Sequence, residues 1–208
     1  MNESLSFVQA LSRPDLLATP VRLALERWSG ASWFDRVQVA EIDPAAASGL
    51  DLCRRYGLDP ASGGNCLIVE ARRGKQSRPA ACLVPPGTKA DLNGLVRRHL
   101  NARQVTMLDR ERAITDSGME YGSITVIGLP SEWPVLVDAS LSDLPDLIIG
   151  SGRLRSKLKL PANALLDMTG AAVLVGLGRP QAADTAHHSS PMVERRRPVY
   201  PVPIPESI

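Results

Sequence analysis

The chain has 208 residues, 44% of them hydrophobic and 22% charged, with a formal net charge of +2. That length supports one domain with a sizeable core, and the small net charge excludes polyanion binding through bulk charge, so any nucleic-acid contact must rest on local clustering. Three cysteines, Cys53, Cys66 and Cys82, are odd in number and lack zinc-like spacing, which argues against a disulfide framework and fits a reducing cytosol. The start, MNESLSFVQAL, lacks the basic and apolar regions of a signal peptide, and no run reaches the ~20 apolar residues that span a bilayer.

In chain order, LATPVRLALERW predicts a helix with Thr19 as N-cap and Pro20 at the first helical position. DRVQVAEID alternates as a strand does. AAASGLDLCRRYGLDP predicts a helix near its end, closed by Gly57. NCLIVEARR and PAACLVP predict a strand pair joined by the polar RGKQSR. ADLNGLVRRHL reads as an amphipathic helix with Leu92, Leu95, Val96 and either His99 or Leu100 turned inward. QVTMLD is strand-like, and RERAITDSG is a short helix ending near Gly118.

SITVIGLP, PVLVDASL and DLIIGSG are three further strand candidates. The segment 151–161, SGRLRSKLKLP, sets Arg153, Arg155, Lys157 and Lys159 on one parity and Leu154, Ser156, Leu158 and Leu160 on the other. That is the period of a half-buried strand with one positive face. LPANALLDMTGA predicts a helix after Pro161, and AVLVGLG a last strand or extended turn. From residue 179 the chain is rich in Pro, Ser and charge, which predicts a disordered tail. Within it YPVPIP could adopt polyproline II and dock in a partner's groove. The domain plan is a helical segment over 1–36, a folded domain over 37–178 and the tail over 179–208. Strands mixed with helices, without strict βαβ alternation, predict an α+β domain around a mixed, largely antiparallel sheet flanked by helices.

No P-loop, GxGxxG, HExxH or GxSxG is present. His187 and His188 fall in the tail, and His99 suits a helix C-terminus. Cys66 and Cys82, on apolar strands, read as small core residues. Asp138 ends a strand beside a turn, where it can cap or orient a loop or act directly in catalysis. Two glycine-bearing turns carry more information: Gly118 and Gly122 before one strand candidate, Gly150 and Gly152 after another. Glycine lets backbone approach a ligand and aim N–H groups at it, and such groups can stabilise the oxyanion formed when water attacks an ester.

GNCLIVEARRG, AACLVPPGTKADLNGLVRRHL, MEYGSITVIGLP, VLVDASL and IIGSGRLRSKLKLPANALLDMTGA, in that order over residues 37–178, resemble the YbaK/EbsC family of aminoacyl-tRNA deacylases, relatives of the editing domain inserted in bacterial prolyl-tRNA synthetases. The resemblance implies a compact α+β domain with a barrel-like central sheet, and hydrolysis of the ester joining a wrong amino acid to tRNA. It implies that water attacks with help from the substrate's own ribose hydroxyl, so that no protein base is needed; no cofactor or metal is expected. It also implies that a GxxxP loop shapes the amino-acid pocket and that an early-strand lysine contacts the terminal nucleotide.

Carried over, the loop is Gly122, Ser123, Ile124 and Thr125, with Val126 where the family has proline. The lysine position falls on Asn65, or on Gly64 if the alignment slips by one; Asn65 can hydrogen-bond but carries no charge. Asp138 falls in the strand-end aspartate motif, and Ser151 and Gly152 match the Ser-Gly turn. The expected catalytic set is therefore Gly122, Ser123, Ile124, Thr125 and Asp138. The expected substrate-binding set is Asn65, Ser151, Gly152, Arg153 and Arg155. The basic parity, together with Arg97 and Arg98, would face the phosphates of a tRNA acceptor end. The function so implied is a cytoplasmic trans-editing deacylase; the alternative is a catalytically divergent tRNA- or ligand-binding module of the same fold.

Overall fold

A computed structural model describes residues 4–180. A short β1 (Val8–Gln9) leads through two 3-10 turns to α1 (Thr19–Arg27), then β2 (Gln38–Glu41) and α2 (Gly49–Tyr56). The long hairpin β3 (Asn65–Arg73) and β4 (Gln76–Val84) follows, then β5 (Thr88–Ala90). A π-helical turn, Leu92–Val96, runs into the short α3 (Arg97–His99), followed by β6 (Gln104–Met107) and α4 (Arg110–Ser117). The chain continues through β7 (Val135–Asp138), β8 (Leu147–Gly150), β9 (Ser156–Leu160), α5 (Ala162–Thr169), β10 (Ala172–Leu174) and β11 (Gly178–Pro180).

The strands form three sheets: β1-β2-β9-β8, β10-β7-β4-β3-β6, and β11-β5. All pairs are antiparallel except β10-β7 and β4-β7. The fold is α+β and the pairing mixed and largely antiparallel. Among the described residues the sheets do not close into a barrel. A main core lies between the two larger sheets, with Val39, Leu147, Ile149, Leu158 and Leu160 from one and Ile68, Ala81, Leu83, Val135 and Val137 from the other. The outer face of the five-stranded sheet is covered by Val96 and Leu100. The outer face of the four-stranded sheet is covered by α2, where Leu52 and Tyr56 pack on Ile148.

Several local expectations hold for physical reasons. Gly57, Gly118 and Gly170 end α2, α4 and α5 in the left-handed conformation, which glycine adopts without Cβ strain. The hairpin is tighter than expected, since RGKQSR continues both strands up to Gly74 and Lys75. Thr19 is not the N-cap of α1; it is the first helical residue, and Ala18 precedes it with its N–H bonded to the Ser151 carbonyl. Leu100 is buried and His99 exposed.

Two strand expectations fail. Residues 123–127 are buried yet pair with no strand. Gly122 and Gly128, at φ +89 and +80, turn the chain at both ends of this run, and the Ser123 N–H closes a turn on Glu120. The basic strand begins only at Ser156. Before it, the Ser151 hydroxyl lies 2.7 Å from that of Ser156 and closes a turn over 151–156. Arg153 and Arg155 therefore share no strand face with Lys157 and Lys159, and the four cations do not form one stripe. Nor do Arg97 and Arg98 extend it, because α3 continues from the turn that covers the other large sheet. The segment expected as tail contributes Arg179 and Pro180 to β11; residues 181–208, with the YPVPIP motif, lie outside the described residues.

Candidate functional site

Where the two large sheets meet, Gly63 bridges to Ile148 and the Gly64 N–H donates to the Ile148 carbonyl at 2.8 Å. Beside this junction opens a cleft of about 240 Å³. One wall is α2 and the segment before it, including Leu52 and Cys53; another is the start of β3 with Asn65 and Cys66. The remainder is Ile148, Ile149, Gly150 and Lys157 of β8 and β9, with Gly122, Ser123 and Ile124 of the loop above them. Asn65 and Gly122 are exposed at its rim, while Cys53, Ser123, Ile124, Ile148 and Lys157 are buried.

The glycine loop is held by its own neighbours. The Ser123 hydroxyl donates to the Arg153 carbonyl at 2.7 Å, its N–H donates to Glu120 O, and its carbonyl accepts the Gly152 N–H at 2.9 Å. A Cβ on Gly150 would stand 2.4 Å from the Ser123 carbonyl oxygen, so only glycine lets the loop pass this close to β8. Among the described residues, the N–H groups of Gly122 and Ile124 have no acceptor, unlike those of Ser123 and Thr125. Two main-chain donors on the cleft wall thus remain free.

Of the expected site residues, the structure brings together Asn65, Gly122, Ser123 and Ile124. Thr125 does not line the cleft: it is fully buried, its N–H meets the Met119 sulfur at 3.4 Å, and its hydroxyl lacks a hydrogen-bond partner. Ser151 is also fully buried and braces the turn into β9, while Gly152 braces Ser123.

Asp138 lies outside the cleft lining. Its carboxylate accepts from the Ser140 N–H and hydroxyl and from the Gly178 N–H at 2.7 Å, so it caps the turn after β7 and pins β11. Burial raises its pKa, but these hydrogen bonds outweigh that and hold it below the ordinary carboxylate value. Arg153 and Arg155 do not line the cleft either. Arg153 donates to Leu17 O at 3.0 Å and lies 3.6 Å from Glu120, while Arg155 bonds Asp15 and Glu41. Both guanidinium groups tie the N-terminal segment and loop to β9.

Lys157, which alternation alone assigns to a surface stripe, lines the cleft at 6% exposure. Among the described residues its ammonium has no hydrogen bond or ion pair. Burial lowers its pKa to about 8, because the charged form loses hydration without a counter-ion. No signal in the sequence finds it: alternation marks a polar parity, and only α2 over the outer face of β9 closes Lys157 off, while Lys159 on the same parity stays partly exposed. The thiols of Cys53 and Cys66, in the same cleft, are pushed up by burial and stay neutral at pH 7.

This fold recurs in solved structures. A candidate trans-editing enzyme for prolyl-tRNA synthetase matches with a TM-score of 0.60 at 20% identity, over 73% of this chain and 95% of its own. A hypothetical protein matches with a TM-score of 0.63 at 18% identity, over 75% and 99%. A scaffold used for computational epitope grafting matches with a TM-score of 0.64 at 21% identity, over 76% and 95%. At these identities the likeness is one of fold. The sequence pattern of aminoacyl-tRNA editing domains matches residues 43–168, from the turn before α2 through α5 and so across every wall of the cleft. The chain belongs to the aminoacyl-tRNA editing domain family.

Proposed function

We propose that this protein hydrolyses the ester of mischarged tRNA as a free-standing, cytoplasmic editing deacylase. The observation that carries this reading is the cleft itself. Inside an editing-domain fold, the loop over 122–124, with two N–H groups unsatisfied among the described residues, lines a space of amino-acid size. Donors aimed at a carbonyl oxygen stabilise the charge that develops there when water adds, and removing one such donor typically costs about 100-fold or more in rate. Asn65, exposed at the rim, would hydrogen-bond the terminal nucleotide, leaving the aminoacyl group to enter below it. Ser123, Ser151 and Gly152 hold the loop in place, and Arg153 anchors its far side.

A second reading follows from one residue. Asn65 stands where the resemblance calls for lysine, and a neutral hydrogen bond is worth about 1 kcal/mol against about 1.5–3 for a charged one. A weakened contact to the nucleotide favours a module that holds a tRNA end without cleaving it.

Release of amino acid from a panel of mischarged tRNAs separates the two. The deacylase reading expects turnover above buffer for at least one member and its loss in Gly122→Val, since Gly122 sits at φ +89 and any Cβ there would stand 3.1 Å from Leu154. Salt-sensitive tRNA binding without cleavage across the whole panel would establish the binding module instead.

A further inference from the structure

We propose that the ammonium of Lys157 receives the carboxyl group of the ligand: the carbonyl oxygen of an aminoacyl ester, and then the carboxylate of the amino acid released from it. The aminoacyl identity rests on the deacylase reading; the presence of a carboxylate-binding cation buried in the cleft does not.

Three observations carry it. First, Lys157 is more than nine-tenths buried and lines the cleft, and among the described residues its ammonium has no hydrogen bond or ion pair; the neighbouring Cys53 thiol offsets its burial only in part. An isolated ammonium in such a place is costly and is offset when a ligand brings the counter-charge. The other ionisable groups lining the cleft do not supply it: Cys53 on α2 and Cys66 on β3 are neutral thiols, and the one carboxylate, Asp59, is exposed on the turn before β3.

Second, Lys157 is paired with Gly150 across β8 and β9, so both point to the same face of the sheet. On that face the Gly150 position meets the Ser123 carbonyl. The lysine therefore leaves its strand beside the loop whose Gly122 and Ile124 N–H groups are free. Lys157, Gly122 and Ile124 all line one small space, and a cation with two free main-chain donors suits an oxygen on which negative charge grows.

Third, the surroundings favour a carboxyl group over a phosphate. Leu52, Ile148 and Ile124 give the cleft an apolar lining, with Lys157 as its one ammonium. A phosphate dianion carries more charge than one ammonium balances, whereas a carboxylate carries a single charge and an apolar substituent that can lie on these side chains.

In the reaction the water oxygen bonds to the carbonyl carbon and the carbonyl electrons move to the oxygen facing Lys157. The bond from carbon to the ribose oxygen then breaks. One water proton ends on the ribose oxygen and the other is lost to solvent from the new acid, leaving a carboxylate against the ammonium. Lys157 keeps its own proton throughout, as a charge partner.

The test uses full-length protein labelled with ¹³C-lysine, with the Lys157 signal identified by its loss in Lys157→Met. The protein is titrated with propionate, inorganic phosphate and 5′-AMP. Saturable propionate binding should raise the Lys157 pKa by about one unit, equivalent to a tenfold preference for the charged form, and should weaken at least tenfold in Lys157→Met and Lys157→Gln. Because the pKa is read in the wild type, poor folding of a variant does not remove the test. A Lys157 signal indifferent to propionate, or one moved only by phosphate or 5′-AMP, overturns the proposal. A positive propionate result with no turnover on any charged tRNA keeps the carboxylate site and sinks the deacylase reading. Turnover that survives in Lys157→Met within threefold keeps the deacylase reading and removes Lys157 from it.

Discussion

Gly150 and Lys157 face one another across β8 and β9, and the side chain missing from the first makes room for the loop that borders the second. A Cβ at Gly150 would lie 2.4 Å from the Ser123 carbonyl oxygen and 3.1 Å from that of Ile124, so Gly150→Ala must push the loop away from β8. Overpacking of this kind costs about 1–3 kcal/mol. Urea denaturation should register that loss, and turnover or carboxylate binding should fall more than stability alone predicts, because Gly122 and Ile124 move with the loop. A variant with unchanged stability and binding would show that the loop is not seated on β8.

Lys157 should act against stability at neutral pH. Its pKa is lowered from 10.5 unfolded to about 8 folded, so between those values the unfolded chain holds more protons. Stability therefore rises with pH across that window, and the penalty is fully present below about pH 8. Replacing Lys157 with Met removes the penalty, on the order of 3 kcal/mol from the size of the shift. Denaturation of both proteins at pH 7, 9 and 10.5 should show Lys157→Met more stable at pH 7, with the gap narrowing as pH rises. A gap that does not change with pH would mean that the amine is not held in a low-dielectric site.

Asp138 should matter to stability through β11. Asp138→Ala leaves the Gly178 N–H and the turn after β7 without their acceptor, a loss of about 1–3 kcal/mol. Since the folded carboxylate is held below its ordinary pKa, its contribution is present above the ordinary carboxylate range and lost as pH falls through the folded value. Thermal unfolding at pH 7 and at pH 3 checks this: the wild-type advantage should shrink at the lower pH, and an advantage that grows there would contradict the assignment.

Thr125 offers a change in the other direction. Its buried hydroxyl has no hydrogen-bond partner among the described residues, and an unsatisfied buried group costs about 1–3 kcal/mol. Thr125→Val keeps the shape and removes the cost, so the melting temperature should rise by a few degrees. A fall would mean that the hydroxyl has a partner, such as a bound water.

Local chemistry made much of this fold readable in advance. Helix ends at Gly57 and Gly118, the long apolar hairpin β3–β4 and the helix after Pro161 follow from short-range rules of capping, alternation and φ freedom, which act within a few residues. The motif order likewise singled out Asn65 and residues 122–124, all of which line the cleft.

What the sequence could not convey is which faces are covered. Alternation in RLRSKLKL states that two faces differ, and one apolar face is enough to predict a strand. Only the packing of α2 over the outer face of β9 turns Lys157 from a surface cation into a buried one. Tertiary contacts likewise diverted Arg153 and Arg155 into ties to the N-terminal segment and drew Asp138 to β11. The cleft itself brings together the start of β3, the loop over 122–124 and Lys157 beside the junction of the two sheets and under α2. Those groups are distant in the chain, and capping and alternation act over a few residues, so no local pattern encodes their convergence.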